Sequence, residues 1–96
     1  LFMYFVYMLA TKRLNKFISY VGYTNNLEKR IKDHNNGKGA KFTRGNKWKL
    51  IYYEIFSNKT NALKREYSLK NDRKLRNYIK RLISSNEKRN SNITPI

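Results

Sequence analysis

Apolar residues fall into three short runs that predict β-strands, with helical spacing in the segments that follow. The first two runs, residues 4–10 and 17–22, are rich in aromatic and β-branched side chains. The polar segment between them predicts a hairpin connection. The third run, residues 48–56, is apolar on both faces, which is typical of a central strand rather than an edge strand. We therefore expect it to lie in the middle of a sheet.

A first helix is predicted over about residues 27–36, between the second and third strands. Asn25 and the residue after it open the helix, and Glu28 is placed three residues later for a capping box. Gly37 supplies a stop signal. The segment from 37 to 47 that follows is a basic, glycine-containing loop.

Two further helices are predicted after the third strand. Thr60 can cap one over residues 61–70, and the other runs over about 73–84. The polar tail 85–96 contains the only proline and is expected to be flexible. Since the chain has neither internal repeats nor a long linker, residues 1–84 predict a single domain.

The formal net charge of +16 is the strongest compositional feature, because 22 basic residues face only six acidic ones. They cannot all be paired internally, and a polyanion would relieve their mutual repulsion. We therefore expect a nucleic-acid partner, with DNA favoured. An anionic membrane surface is the alternative, although no segment shows a lipid-facing amphipathic stripe. A basic protein of the ribosome or another assembly would have the same charge without being an enzyme.

The absence of cysteine excludes disulfides and thiolate chemistry, and it fits a reducing compartment. The apolar run from Leu1 to Ala10 is shorter than the roughly 20 residues of a membrane span. No basic residues precede it, as they would in a signal peptide. We expect a soluble, cytoplasmic protein without a membrane partner.

Two tyrosines are candidates for chemistry. Strand alternation places Tyr7 on one face of the first strand with Phe5 and Leu9, and Tyr20 on one face of the second strand with Ile18 and Gly22, so a hairpin can bring the two hydroxyl groups near one spot. The alternative is that both are ordinary core or rim aromatics.

Arg30 and His34 lie four residues apart on the first predicted helix, so they project from the same face. A cation beside the only histidine could hold and polarise a phosphate. The alternative is a solvated basic helix face with an incidental histidine.

Glu66 is the most discriminating acidic residue. It lies between Ala62 and Leu69 on the second predicted helix, toward the apolar side, where a carboxylate needs a cation or a bound metal. One carboxylate with waters and a substrate phosphate is a common arrangement for Mg²⁺. A salt bridge to a nearby Lys or Arg is the alternative, and Glu54 in the third strand is a competing candidate.

Five sequence segments, taken in order, resemble the GIY-YIG nuclease superfamily over roughly residues 4–83. They are Phe5-Val6-Tyr7, Tyr20-Val21-Gly22, the segment from Arg30 to His34, the loop sequence Gly-Ala-Lys-Phe-Thr-Arg, and Ala-Leu-Lys-Arg-Glu. The chain is most similar to the small stand-alone branch related to the N-terminal domain of the UvrC excision nuclease and to Slx-type nucleases. The resemblance implies a mixed α/β domain of the α+β type, with a three-stranded antiparallel sheet flanked by about three helices.

The resemblance also implies phosphodiester hydrolysis with one divalent metal, Mg²⁺ or Mn²⁺. Tyr7 and Tyr20 match the two motif tyrosines, one of which would activate the attacking water. Arg30 matches the arginine that stabilises charge on the scissile phosphate. His34 would orient a group or assist proton transfer, and Glu66 matches the metal-binding glutamate.

Supporting roles are implied for several further residues. Gly22 would allow close backbone approach at the site. Lys41 and Arg44 match a substrate-facing loop and are expected to contact phosphate. Arg73 and Lys74 of the third helix are expected to widen the binding surface, although a solvated helix face is an equal alternative.

These expectations favour a metal-dependent endonuclease that acts on branched, flapped or single-stranded DNA, for example in DNA repair. The alternative is a catalytically weak module that kept the fold and binds DNA or RNA. A third possibility is a basic structural protein in which Glu66 makes a plain salt bridge. No small-molecule cofactor is expected, and a monomer is favoured.

Overall fold

The computed structural model describes the backbone of residues 2–92 and the side chains of residues 2–85. This part of the chain confirms the predicted three-stranded antiparallel sheet with three helices. The elements in chain order are β1 (Tyr4–Arg13), β2 (Lys16–Thr24), α1 (Leu27–Asn35), β3 (Lys49–Phe56), α2 (Lys59–Asn71) and α3 (Arg73–Asn92). A short 3-10 turn, Lys41–Thr43, interrupts the loop between α1 and β3.

The central strand of the sheet is β1, and the strand order is β2-β1-β3 with antiparallel pairing throughout. The prediction of a central β3 was therefore wrong. In β1, residues 6–11 are all buried, whereas Tyr53 and Ile55 of β3 are 49% and 53% exposed. The second apolar face of β3 lines an open groove beside α1 instead of packing inside a sheet.

The hairpin between β1 and β2 is tighter than predicted, because the strands continue to a two-residue turn. Arg13 pairs with Lys16, and the intervening Leu14 and Asn15 have φ angles of 51° and 65°. Left-handed conformations at both positions are typical of the turns that match strand twist in short hairpins.

The two faces of the sheet pack against different helices. The face toward α2 and α3 forms a core of Val6, Met8, Val21, Ala62, Leu69 and Ile79. The face toward α1 buries Tyr7, Leu9 and Trp48, with Leu27 and Ile31 packed against them. Alternate residues of β1 therefore enter alternate cores, and the predicted tyrosine site lies on the α1 face.

The N-terminus of α1 is capped by Asn26, whose side chain accepts a hydrogen bond from the amide of Lys29 at 3.2 Å. The capping box predicted from Asn25 and Glu28 is therefore wrong. Glu28 points away from the cap and pairs with Lys32 at 3.5 Å.

The predicted ends of the last two helices also shift. Asn58, not Thr60, caps α2, and Asp72 accepts a hydrogen bond from the third residue of α3 as expected for a helix start. The last helix continues to Asn92, past the predicted end at residue 84, and residues 93–96 of the predicted tail lie outside the described residues. Within the described range, none of the helices combines the length and the apolar character needed to cross a bilayer.

Candidate active site

Tyr7 lies at the centre of a buried aromatic and imidazole cluster. Its hydroxyl group is 2.7 Å from Nε2 of His34, which lies near the C-terminal end of α1. Tyr20 is diagonal to Tyr7 across the hairpin, because Tyr7 pairs with Gly22 and Leu9 with Tyr20. The Tyr20 ring is 6.5 Å from the Tyr7 ring and 5.0 Å from the imidazole. The two tyrosines therefore lie side by side, with His34 against both.

The hydrogen bonds around His34 define its tautomer. The Thr43 hydroxyl donates its one proton to the carbonyl oxygen of Ala40 at 2.7 Å, so the hydroxyl oxygen accepts from Nδ1–H of His34 at 2.8 Å. A neutral imidazole carries one N–H group. Nε2 is then unprotonated and accepts the hydrogen bond that the Tyr7 hydroxyl donates.

Electrostatics favour this arrangement of protons. Burial, together with the charge of Arg30, lowers the pKa of His34 below its ordinary value of 6.5, while Asp33 opposes the shift. The imidazole is neutral at pH 7 as a result. Burial also raises the pKa of Tyr7 to about 12, and Arg30 opposes that rise. The phenol therefore keeps its proton and acts as a donor to His34.

Arg30 lies one helical turn before His34 on α1, and its guanidinium interacts with Tyr7. It forms part of the wall of an open groove of about 340 Å³ between the end of β2 and the first turns of α1. The other lining residues are Tyr23, Thr24, Asn25, Asn26, Lys29 and Asp33. A phosphate in this groove would meet the Arg30 guanidinium, which in turn interacts with the buried Tyr7.

Glu66 lies on α2, which packs on the face of the sheet opposite Tyr7. Its negative charge nevertheless reaches Tyr7 and helps to raise the pKa of that hydroxyl, after the larger effects of burial and Tyr20. The Glu66 side chain is 22% exposed, and one carboxylate oxygen lies 3.7 Å from Lys70 on the next helical turn. This contact is a long, half-exposed pair of the kind that contributes little stability, so the carboxylate is available to another cation.

Glu54, the competing acidic residue, is occupied. Its carboxylate accepts hydrogen bonds from Nε of Arg65 at 3.0 Å and from the Tyr52 hydroxyl at 2.6 Å. Nη2 of Arg65 is also 3.0 Å from one of the carboxylate oxygens. Glu54 therefore ties β3 to α2, which leaves Glu66 as the carboxylate with free coordination capacity near Tyr7.

The donor set around Glu66 fits a lightly coordinated divalent ion. No group of three or more His, Cys, Asp or Glu side chains is gathered in the described part of the chain. Mg²⁺ is commonly bound by one or two carboxylates, with water and substrate phosphates in the remaining positions. Glu66, partly exposed and close to Tyr7, matches that requirement. The same set of oxygen ligands suits Mn²⁺.

Two glycines leave room for the cluster. A Cβ atom on Gly22 would overlap the hydroxyl group and ring of Tyr7. A Cβ atom on Gly39 would overlap the His34 ring at Nδ1. The close backbone approach expected at Gly22 is therefore an approach to the Tyr7 side chain. The backbone at Gly39 approaches the His34 ring in the same way.

The loop after α1 holds residues that sequence reasoning did not single out. Thr43 fixes His34, and Trp48 donates a hydrogen bond from Nε1 to the Thr43 carbonyl at 2.8 Å. Asn35 of α1 exchanges hydrogen bonds with the backbone of Trp48. Their signal in the sequence is an uncharged threonine and a tryptophan within an otherwise basic segment.

The predicted phosphate-contacting residues are all exposed. Lys41 and Arg44 lie on either side of the buried Thr43, which places them beside the cluster. Arg73 and Lys74 begin α3, in the helical layer on the opposite face of the sheet from Tyr7. The structure thus brings together Tyr7, Tyr20, Arg30 and His34. Glu66 is linked to them through its charge on Tyr7, and Lys41 and Arg44 are linked through their neighbour Thr43.

Comparison with known proteins shows which family the chain resembles. The model of the GIY-YIG catalytic domain matches residues 3–80. A UPF0213 protein of Clostridium perfringens is 52% identical over 84 residues, which cover 86% of this chain and 85% of that one. The UPF0213 protein YazA of Bacillus subtilis is 49% identical over 73 residues, covering 75% and 70%.

Other relatives share the same family name. A UPF0213 protein of Bacillus licheniformis is 48% identical over 71 residues, and this chain spans 63% of its length. The solution NMR structure of a UPF0213 protein from Bacillus halodurans is 33% identical, with a TM-score of 0.46 and coverage of 83% and 84%. Because the family model extends over most of the sequence, the chain belongs to the GIY-YIG catalytic domain family.

Proposed function

We propose that this protein is a metal-dependent endonuclease that hydrolyses phosphodiester bonds in DNA. The observation that carries the proposal is the buried hydrogen bond from Tyr7 to a neutral His34, beside Arg30 and within reach of the charge of Glu66. A module that only binds nucleic acid needs the arginine. It has no need of a buried proton acceptor or of a carboxylate with free coordination capacity.

Tyr7 and His34 would act together as the general base. The attacking water transfers a proton to the Tyr7 oxygen while the Tyr7 hydroxyl passes its own proton to Nε2 of His34. This route avoids a free phenolate, which the pKa of about 12 makes unfavourable at neutral pH. The water oxygen bonds to phosphorus as the bond to the leaving oxygen breaks, and the leaving oxygen takes a proton from solvent.

Arg30 and Glu66 would together stabilise the negative charge that develops on the phosphate, Arg30 directly and Glu66 through the ion it would hold. The Arg30 guanidinium hydrogen-bonds the scissile phosphate and stabilises the negative charge that develops on its oxygens. Glu66 would hold the divalent ion, which when bound withdraws charge from the same phosphate. Thr43 keeps the Nδ1 proton of His34 in place, so that Nε2 stays free to accept.

A nucleic acid is the proposed substrate because 22 basic residues face only six acidic ones. A polyanion would relieve the repulsion among these cations. Contacts to the backbone position a nucleic acid without reading its bases, so selectivity for branched, flapped or single-stranded DNA would come from shape.

The proposal is tested with the wild type, Glu66→Gln and the matched control Glu28→Gln, which changes an exposed glutamate on α1. Labelled flap, branched, single-stranded and duplex DNA are incubated with Mg²⁺, Mn²⁺ or EDTA. We expect metal-dependent cleavage by the wild type and by Glu28→Gln, and loss of cleavage with retained binding in Glu66→Gln. Tight binding with no cleavage of any substrate would instead identify a binding module.

A further inference from the structure

Phe42 is an exposed aromatic residue at the rim of the site. It lies in the 3-10 turn Lys41–Thr43, and the residue is 56% exposed to solvent. One side of its ring stacks on Tyr20, with 6.3 Å between ring centroids and 21° between planes. Trp48 meets the ring at a 43° tilt. Since Phe42 stays exposed despite these two contacts, it is available to a ligand.

The turn that carries Phe42 is fixed before any ligand binds. The next residue, Thr43, is completely buried, and its hydroxyl group bonds both His34 and the Ala40 carbonyl. The Thr43 carbonyl accepts a hydrogen bond from the Trp48 indole. A ligand that stacks on Phe42 therefore loses little affinity to ordering of the protein.

Exposed cations are neighbours of Phe42 in the chain. Lys41 precedes Phe42 and Arg44 follows two residues later, and neither takes part in an ion pair formed by the described side chains. An exposed aromatic ring with unpaired cations on the same short turn is a combination that single-stranded nucleic acids recognise, with bases on the ring and phosphates on the cations. A purely apolar protein contact would not require cations at this position.

We propose that Phe42 is a stacking platform for one unpaired base of the substrate, next to the scissile phosphate. The Phe42 ring stacks directly on Tyr20, and the Tyr20 ring in turn packs against Tyr7 and His34. A base inside a duplex is already stacked on both faces, so only an unpaired or unstacked base can use Phe42. The residue thus determines specificity for strands with unpaired nucleotides. Its position beside the scissile bond rests on the proposed nuclease function, whereas the stacking itself does not.

The test measures binding in EDTA, so that cleavage plays no part. Wild type, Phe42→Leu, Phe42→Trp and the matched control Tyr53→Leu, which changes an equally exposed aromatic on β3, are compared. The probes are a single-stranded oligonucleotide containing 2-aminopurine, the same oligonucleotide with abasic positions, and a duplex. Circular dichroism and thermal unfolding establish that each variant is folded.

We expect Phe42→Leu to weaken binding of the single strand by about 5- to 150-fold, the range for loss of one stacked base. It should abolish the change in 2-aminopurine fluorescence and leave duplex affinity unchanged. Phe42→Trp should retain single-strand affinity, and Tyr53→Leu should behave like the wild type. Equal effects on single strand and duplex, or equal wild-type affinity for the abasic strand, would overturn the proposal.

The two proposals fail in different ways. Stacking on Phe42 in a protein that cleaves nothing would support the platform and contradict the nuclease. The opposite result is metal-dependent cleavage of single-stranded and duplex DNA at equal rates, with no change in 2-aminopurine fluorescence on binding. That result would support the nuclease and contradict the stacking platform.

Discussion

The Tyr7 hydroxyl donates a hydrogen bond of 2.7 Å to Nε2 of His34, although the two residues are 27 positions apart in the chain. This bond forms only when α1 docks on the face of the sheet that carries Tyr7. His34 is completely buried, so its proton exchange depends on its two hydrogen-bond partners and not on bulk water. The base of the proposed reaction is thus a pair of residues from two elements.

Replacing Thr43 by valine should impair catalysis by releasing the His34 tautomer. The variant keeps the shape of the side chain but removes the oxygen that accepts the Nδ1 proton. We expect the cleavage rate to fall by about 10- to 100-fold with little change in KM, and stability to fall by about 1–3 kcal/mol. Thr11→Val, at another buried threonine, is the control. An unchanged imidazole NMR signal in Thr43→Val would contradict the assigned tautomer.

Activity should persist at mildly acidic pH. Burial holds the pKa of His34 below 6.5. The imidazole is therefore still mostly neutral at pH 6.5 and can act as a base there. It becomes protonated, and so unavailable as a base, only at lower pH. Single-turnover rates at saturating metal are measured across pH, with His34→Gln as the reference that lacks this base. A His34-dependent decline already above pH 6.5 would contradict the expectation.

The lowered pKa of His34 also makes the free energy of unfolding depend on pH. The unfolded chain binds the His34 proton near pH 6.5, whereas the folded chain binds it only at the lower pKa. The contribution of His34 to the free energy of unfolding is therefore fully present above pH 6.5. It declines as pH falls from 6.5 to the folded pKa and then levels off. His34→Gln should lack this component in denaturant titrations at several pH values.

A methyl group at Gly22 should disturb Tyr7. Because the added Cβ overlaps the Tyr7 hydroxyl, the ring has to shift away from His34 or the strand has to move. Overpacking of this kind costs about 1–3 kcal/mol of stability, and we expect Gly22→Ala to lose cleavage with binding retained. Ser19→Ala on the same strand is the control. Full activity in Gly22→Ala would show that the ring position is not critical.

Substitutions in the turn between β1 and β2, away from the Tyr7 cluster, should stabilise the protein. Leu14 is 90% exposed and adopts a left-handed conformation, with φ of 51°, which is unfavourable for a bulky side chain. Asn-Gly suits such two-residue turns best. The double substitution Leu14→Asn, Asn15→Gly should add about 1 kcal/mol and raise Tm by roughly 4–8 °C. Thermal unfolding and cleavage assays check both parts, and a lower Tm would contradict the turn assignment.

Some of the site could be read from local periodicity. Strand alternation placed Tyr7 and Tyr20 on one face, and helical spacing placed Arg30 and His34 on another. Both relations are fixed within a single element or hairpin, so tertiary packing did not alter them. Leu27 and Ile31 pack the side of α1 that carries His34 against the sheet face that carries Tyr7. This packing brings the helix residues and the tyrosines together.

Other features depend on contacts between distant elements. Glu54 and Glu66 could not be separated by pattern, because the Arg65 partner of Glu54 is set by how α2 lies against β3. The order of the strands was misjudged because exposed Tyr53 gives β3 the composition of a buried strand.

The central position of β1 ties the Tyr7 hydroxyl to the most protected part of the molecule. Tyr7 has a paired strand on each side, with Gly22 of β2 and Tyr53 of β3 opposite it. Amide exchange in such a strand generally requires global opening. Tyr7 therefore cannot be released by fluctuation of a loop, and activity and native structure should disappear in one denaturant transition. We therefore expect the proposed site to keep its shape until the whole sheet opens.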